Sequence, residues 1–192
     1  MRVPDEALTL FQAQSLVLKG ELAVPQALET GRFYGRYDLN GKPRAPYPPM
    51  HALLASPWYA VGHFLLARLP GIPAANQDLV VAFAVTLSSA TFAALTGALA
   101  FALFLRKGIS FQLALASAAI LALATPLFSY SGWFFSEPLT SCLLMSAAVL
   151  LFGHRDGEAE PPSLMDASLA GVALGAAPME ITEIWIDRFG RE

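Results

Sequence analysis

Residues 79–105 form a long run of mostly apolar residues without one charged side chain. As a helix, this run exceeds the roughly 20 residues that cross the hydrocarbon core of a bilayer. Residues 111–127 and 139–152 form two further uncharged runs. Only 14% of the chain is charged, whereas soluble domains carry about 25% charged residues. These features predict an all-α polytopic membrane protein.

The uncharged runs divide the chain into three parts. Residues 1–78 are expected to form an extracytoplasmic loop with juxtamembrane helices, and residues 178–192 a soluble tail of atypical composition. The part between them, 79–177, is expected to be a transmembrane domain with about three to four helices. We expect these helices at residues 79–105, 111–128, 138–153 and, as a partial span, 164–177. In the last of them, Gly171 and Gly175 have the spacing of a close helix-packing face in lipid.

Helix and turn signals organise the polar N-terminal part. Residues 5–18 follow the pattern of an amphipathic helix that starts after Pro4 and stops at Gly20. Residues 37–42 predict a short extended run into an Asn-Gly turn. The prolines within residues 43–49 exclude a regular helix there.

The distribution of charge predicts the topology. Basic clusters at residues 106–107 and 154–155 flank the spans, and the positive-inside tendency places both in the cytoplasm. Two predicted spans lie between them, so the loop that carries Glu137 faces outward. Residues 50–69 contain two histidines, a proline and an arginine, which favours an interfacial or re-entrant segment. If this segment spanned instead, residues 1–49 would lie in the cytoplasm, opposite Glu137.

Glu137 is the only charged side chain between Lys107 and His154. An isolated carboxylate costs a few kcal/mol at the bilayer centre, so we expect it near an interface, a cavity or a functional site. There it can act as a general base on an acceptor hydroxyl or amine. The alternative interpretation is structural, because an acid before Pro138 also favours a helix start.

The N-terminal part offers candidate partners for this carboxylate. Asp5 and Glu6 can supply a second carboxylate that orients an acceptor or binds a metal; alternatively, they only mark a helix N-terminus. Lys42 and Arg44 can neutralise a phosphate, and the arginine offers a bidentate fork. Their alternative role is contact with solvent or lipid headgroups.

Several other functions are disfavoured. The chain has no Gly-rich phosphate loop and no dinucleotide fingerprint. The formal net charge of −3 and the lack of a large basic cluster argue against nucleic-acid binding. The single cysteine, Cys142, excludes an intrachain disulfide and a cysteine-based metal cluster. No bound metal and no resident cofactor is expected, and metal dependence stays open.

Three stretches together resemble the multi-pass glycosyltransferases of the GT-C superfamily. They are residues 4–6 followed by a helix, residues 35–49, and residues 130–139 with the sequence YSGWFFSEPL. The nearest subgroup is the bacterial lipid-linked-sugar transferases related to aminoarabinose transferase and protein mannosyltransferases. The resemblance extends over residues 4–177.

The resemblance implies roles for particular residues. It puts Asp5, or else Glu6, at the acidic residue that opens the family's long outer loop. Lys42 and Tyr47 fall in the family's Lys/Pro/Tyr-rich stretch, where they would bind substrate. Glu137 matches the second acidic residue, which precedes a proline in the next outer loop.

The implied reaction transfers a sugar from a polyprenyl-phosphate donor to an acceptor at the outer face of the bacterial inner membrane. A loop carboxylate serves as the base, the lipid phosphate leaves, and the configuration at the anomeric carbon inverts. The implied partners are membrane lipid and the polyprenyl-phosphate sugar, which is a co-substrate rather than a cofactor.

The sequence departs from the family at both ends. The family's first transmembrane helix precedes the acidic loop, whereas here the chain begins with that loop, and residues 179–192 do not resemble the family's continuation. We therefore expect a fragment from a truncated reading frame, without activity of its own. The competing interpretation is a non-catalytic polytopic membrane protein, either a transporter fragment or an assembly factor.

Overall fold

The computed structural model describes residues 4–31, 33–69, 71–153 and 162–177. Within these ranges the chain is mostly helical with two short strands, which confirms the predicted helical character. The helices are α1 (Pro4–Lys19), α2 (Pro25–Glu29), α3 (Met50–Arg68), α4 (Ala74–Arg106), α5 (Phe111–Leu123), α6 (Pro126–Ser131), α7 (Glu137–Phe152) and α8 (Leu164–Ala176). The strands are β1 (Arg36–Tyr37) and β2 (Pro43–Arg44). The described residues divide into two compact units, one that ends at Ser88 and one that begins at Ser89, within α4.

In the first unit, α1 forms where the sequence predicts an amphipathic helix. Gly20 follows it with a φ of +68°, a left-handed conformation that glycine adopts without a steric penalty. Leu8 of α1 packs with Val24 and Ala27 in a small buried cluster, and Tyr47 covers this cluster from the following loop. The cluster fixes the position of the hairpin segment on α1.

The two strands form an antiparallel hairpin with Tyr37 opposite Pro43. Residues 38–42 connect them, and Gly41 has a φ of +73°, so the predicted extended run and Asn-Gly turn are confirmed. Backbone contact is closest at Gly35, where an ideal Cβ would lie 1.9 Å from the carbonyl oxygen of Arg44. Only a residue without a Cβ fits this contact.

Helix α3 remains one helix despite the internal Pro57. Its buried face packs against α1 and, through Gly62, against the first part of α4. An ideal Cβ on Gly62 would lie 2.9 Å from the Cβ of Ala84 and 3.1 Å from the Cα of Val81. The opposite face exposes large apolar side chains, among them Phe64. This exposed apolar face is what an interfacial helix presents to lipid.

Helix α4 is long and apolar enough to cross a membrane. Its segment Asn76–Arg106 has 31 residues and contains the uncharged run that predicted it. The other three apolar helices of the described chain are shorter, with 13, 16 and 13 residues in α5, α7 and α8. The helix at residues 79–105 is therefore confirmed as an element, and the number of spans stays a prediction.

The structure differs from the expected single helix over residues 111–128. Helix α5 ends at Leu123, and α6 begins at Pro126. Thr125 between them is extended, with φ −113° and ψ 169°, because a proline disfavours the helical conformation in the residue before it. The Thr125 hydroxyl accepts a hydrogen bond from the Leu127 amide at 3.3 Å and caps the new helix.

Helices α7 and α8 pack together through alanines. Ala147 of α7 forms a buried cluster with Ala170 and Ala173 of α8. The predicted close-packing face at Gly171 and Gly175 is wrong for the described chain, because a Cβ on either glycine meets nothing within 4 Å. Small residues do mediate the contact, but they lie on another face of the helix.

The last residues of α4 lie beside the C-terminal end of α7. A Cβ on Gly153 would lie 2.9 Å from Nη1 of Arg106. Gly153 directly precedes the second basic cluster of the sequence, and Arg106 belongs to the first. This neighbourhood supports the charge argument, in which both clusters share one side of the membrane.

Candidate functional site

Glu137 is the first residue of α7, at the edge of a cavity of about 460 Å³ in the second unit. Ligand-binding cavities commonly have volumes of this order. Residues of α4, α5, α6 and α7 line the cavity: Thr96, Leu121, Thr125, Pro126, Leu127, Tyr130, Glu137, Ser141, Leu144, Met145 and Ala148. Glu137 is the only charged residue among the described residues that line it.

Buried neighbours fix the start of α7 and therefore the position of Glu137. Phe134 is only 2% exposed, and Ser89 of α4 donates a hydrogen bond to the carbonyl oxygen of Phe135 at 3.3 Å. Pro138 and Leu139 are buried directly after Glu137. The carboxylate thus stands on a packed helix start rather than on a free loop.

Glu137 is exposed, and its carboxylate has no ion-pair partner within the described part of the chain. The helix dipole of α7 favours a negative charge at this position. The structural interpretation of Glu137 as a helix-start acid is therefore correct, and it is compatible with a chemical role. A carboxylate without a cationic partner keeps its capacity to accept a proton from a ligand hydroxyl.

Hydroxyl groups supply the other polarity of the cavity. Thr96 and Thr125 donate to the carbonyl oxygens of Phe92 and Leu121, one turn before them, at 2.8 and 2.7 Å. Ser141 lies one turn after Glu137, and its hydroxyl forms no such bond with the described residues. Sequence reasoning missed Ser141, although its four-residue spacing from Glu137 places both on one helix face.

The first unit contains the other predicted carboxylates. Asp5 and Glu6 belong to α1, as the predicted helix start requires; the side chain of Asp5 lies outside what the structure describes. Glu6 is only 2% exposed. Thr9 and Gln12, at successive three-residue steps along α1, are buried as well, so Glu6 begins a buried polar face of this helix.

Lys42 and Arg44, the predicted phosphate ligands, form ion pairs with carboxylates of the same unit. Lys42 pairs with Glu21, and the Arg44 Nη2 lies 2.9 Å from Oδ2 of Asp38. The hydrogen bond from Lys42 lowers the pKa of the Glu21 carboxyl. Two cations and two carboxylates leave this group without net charge, so a phosphate would have to compete with Glu21 and Asp38 for its ligands.

Asp38 also organises the hairpin loop. Its Oδ1 accepts hydrogen bonds from the backbone amides of Asn40 and Lys42, each at 2.9 Å. The Lys42 amide and the Arg44 side chain lower the pKa of the Asp38 carboxyl. Sequence reasoning singled out the two cations and missed their acidic partners. Glu21 is 21 residues from Lys42, and Asp38, six residues from Arg44, was considered only as part of the turn.

Tyr47 lies between the hairpin and α1. Its hydroxyl is 2.8 Å from the hydroxyl of Tyr34, and its carbonyl oxygen accepts a hydrogen bond from Gln12 at 3.3 Å. The predicted substrate residues Lys42, Arg44 and Tyr47 are thus close in sequence and share the first unit. Glu137 belongs to the second unit, with its own cavity.

His51 and His63, the two histidines that the structure describes, show no arrangement for metal binding. The described residues contain no group of three or more His, Cys, Asp or Glu side chains that could hold an ion. His51 is 3% exposed on α3, and burial lowers its pKa to about 3, which keeps the imidazole neutral. His63 stacks on Tyr59 with a ring distance of 6.3 Å.

The chain matches a known protein family over most of its length. The model of the family described as dolichyl-phosphate-mannose-protein mannosyltransferase matches residues 21–179. The match includes Lys42, Arg44, Tyr47 and Glu137 and begins after α1. No curated protein and no solved structure matches the chain significantly.

Proposed function

The chain belongs to the dolichyl-phosphate-mannose-protein mannosyltransferase family, and we propose that it is part of a membrane glycosyltransferase of the GT-C type that uses a polyprenyl-phosphate sugar. The observation that carries the proposal is Glu137, a carboxylate without a cationic partner among the described residues, which lines a mostly apolar cavity together with the hydroxyl-bearing Ser141. General-base catalysis needs such a group within reach of the proton it removes.

The proposed transfer replaces the bond between the anomeric carbon and the donor phosphate by a bond to the acceptor oxygen. The Glu137 carboxylate takes the proton of an acceptor hydroxyl, and the acceptor oxygen forms a bond to the anomeric carbon of the sugar. The bond from that carbon to the phosphate oxygen breaks, and the lipid phosphate leaves with the electron pair. The configuration at the anomeric carbon inverts, and the proton remains on Glu137 until water removes it.

In this proposal Lys42 and Arg44 bind the donor phosphate. Lys42 and Arg44 exchange their carboxylate partners for phosphate oxygens, since arginine binds phosphate and carboxylate with the same planar fork. Tyr47 contributes its hydroxyl group. Asp5 or Glu6 orients the acceptor; the buried position of Glu6 on α1 favours a carboxylate held in one orientation.

We further propose that α5, α7 and part of α8 cross the membrane together with α4, as three to four spans. Helix α3 lies in the outer interface, which its exposed apolar face supports. The active site lies on the outer face of a bacterial inner membrane, and residues 1–78 form the extracytoplasmic part.

Substitution of the proposed base tests the function. In membranes that contain the full-length protein, we expect Glu137→Gln to reduce sugar transfer from a labelled polyprenyl-phosphate sugar by about 100-fold or more, because an amide accepts no proton. Glu137→Asp should retain part of the activity. The amount of protein inserted in the membrane should stay the same.

Glu29→Gln is the matched control, because Glu29 is an exposed carboxylate at the end of α2. It should transfer sugar at the rate of the unmodified protein. Unchanged transfer by Glu137→Gln would refute the assignment of the base. An unmodified full-length protein that transfers no sugar at all would instead favour a transporter or assembly factor, whose helices are often interrupted as the chain is at Thr125.

A further inference from the structure

The cavity beside Glu137 follows one face of α7. Glu137, Ser141, Leu144, Met145 and Ala148 line it, and these positions recur at the three- and four-residue steps of a single helix face. At 1.5 Å per residue, the lined part of α7 is about 16 Å long. The cavity therefore extends along the helix, and its volume of about 460 Å³ is that of a small-molecule site, which one elongated chain can occupy.

Polarity changes along this face from one end to the other. The first turn of α7 contributes the Glu137 carboxylate, and the next contributes the Ser141 hydroxyl. The later turns contribute only apolar side chains, Leu144, Met145 and Ala148, and Leu121 of α5 adds to them. A ligand that matches both ends has a polar headgroup and one apolar chain.

The charge of the lining selects among headgroups. No cation is present among the described lining residues, and Glu137 is the one charged group. A phosphate here would be repelled by the like charge of the carboxylate. A neutral headgroup with hydroxyl donors is attracted, since ionised carboxylates only accept hydrogen bonds.

We propose that this cavity binds the acceptor of the transfer reaction, a single-chain amphiphile with a hydroxyl headgroup, and that Ser141 positions the reacting hydroxyl beside Glu137. The inference rests on the proposed function, which supplies the reaction. It goes further by separating the acceptor from the phosphate-bearing donor and by making the acceptor a lipid-like molecule.

Ser141 is suited to positioning because its hydroxyl is not used within the described fold. Thr96, Thr125 and Ser146 each donate to a carbonyl oxygen one turn earlier. Ser141 has no such partner among the described residues, and its Cβ is about 5–6 Å from that of Glu137 on the same helix face. One ligand hydroxyl can therefore contact both side chains.

Binding can be measured without catalysis. We would insert the full-length protein in nanodiscs and titrate it with radiolabelled n-decyl β-glucoside, with n-decyl phosphate as the phosphate probe of equal chain length. We expect saturable binding of the glucoside and at least tenfold weaker binding of the phosphate. Equal or tighter binding of decyl phosphate would overturn the proposal and assign the cavity to the donor.

Filling the apolar end tests the location. Ala148→Trp should weaken glucoside binding at least tenfold, because the indole occupies the chain's place. Ala94→Trp is the matched control on an exposed position of α4, and it should bind the glucoside normally. Equal effects of the two substitutions, or no effect of Ala148→Trp, would contradict the proposed location.

The role of Ser141 has a kinetic signature. Ser141→Ala should raise the KM for the acceptor about three- to tenfold, the loss of one hydrogen bond, and leave the KM for the donor unchanged. Ser141→Thr, which keeps the hydroxyl, should restore the acceptor KM. An unchanged acceptor KM in Ser141→Ala, or an equal rise in both KM values, would refute the positioning role.

Two combinations of transfer and binding results test the acceptor site separately from the base. If Glu137→Gln loses sugar transfer but the unmodified protein binds no glucoside saturably, the proposed glycosyltransferase activity is supported and the proposed acceptor site is refuted. If the glucoside binds saturably, Ala148→Trp abolishes this binding and Glu137→Gln still transfers sugar at the full rate, the cavity binds an amphiphile but Glu137 is not the base.

Discussion

Glu137 combines a structural and a chemical reason for its position. At the start of α7 the helix dipole stabilises its charge, and its neighbours Pro138 and Leu139 are buried. The same packing presents the carboxylate to a cavity. An acid that only supported the helix would need no cavity beside it, and a base on a mobile loop would be less well oriented.

Among the described glycines of the first unit, Gly35 is the least tolerant of a side chain. We expect Gly35→Ala to destabilise the unit by about 1–3 kcal/mol, because its Cβ would overlap the Arg44 carbonyl oxygen at 1.9 Å. Thermal unfolding of the detergent-solubilised protein measures this loss.

Gly171→Ala is the control for this substitution, since a Cβ there meets open space. It lies inside a helix, where alanine is favoured over glycine by about 1 kcal/mol. A Gly35→Ala variant that melts at the temperature of the unmodified protein would show that the hairpin relaxes around the new methyl group.

Among the elements, the hairpin depends on ionised carboxylates. The folded pKa of Asp38 is below its ordinary value of 3.8, so its contribution to stability is fully present above about pH 4. It is lost as the pH falls through the folded pKa, because the protonated carboxyl accepts the Lys42 and Asn40 amides less well. Glu21, with a pKa lowered from 4.5, acts in the same direction.

Hydrogen exchange of the peptide that covers residues 36–44, corrected for the intrinsic rate, measures this effect. Protection should decrease as the pH falls from 5 toward 2. Asp38→Asn should already show reduced protection at pH 5 and a smaller further decrease, whereas Glu29→Gln should behave like the unmodified chain. Protection that is constant over this range would show that the ion pairs do not hold the loop.

Local patterns predicted most elements and missed their interruptions and contacts. The period of apolar residues predicted α1, the long uncharged run predicted α4, and the Asn40-Gly41 pair predicted the turn. The helix breaks at Thr125 because Pro126 follows it. The prediction of one helix over residues 111–128 relied on the count of uncharged residues and took no account of this proline. The pairing of Lys42 with Glu21 joins remote positions, and no local pattern indicates such a contact.

The cavity was out of reach of sequence reasoning for a related reason. It is lined by four helices, and its shape depends on how Thr96 of α4 and Leu121 of α5 face α7. Helical periodicity shows which residues share a face, but it does not show which face meets which neighbour. Glu137 could be singled out because its charge is isolated in the sequence; Ser141 is one of many small polar residues.

Thiol labelling can test which side of the membrane carries each end of the predicted spans. In a Cys142→Ala background, Glu137→Cys should react with a membrane-impermeant thiol reagent added to intact cells, because the positive-inside tendency places this end of α7 outward. Lys107→Cys, which precedes the predicted span at residues 111–128, lies on the cytoplasmic side in this topology and should react only after permeabilisation. Labelling of position 137 only in permeabilised cells would invert the topology.

The interruption after α5 has a consequence for the surrounding lipid. Helix α5 has 13 residues and α7 has 16, which correspond to lengths of about 20 and 24 Å. Both are below the roughly 30 Å hydrocarbon thickness of a typical bilayer. Placed across a membrane as we propose, they impose a hydrophobic mismatch that thins the bilayer on this side of the protein. A thinner bilayer shortens the distance between the lipid interior and Glu137, so the chain length of the host lipids becomes a determinant of access to the site.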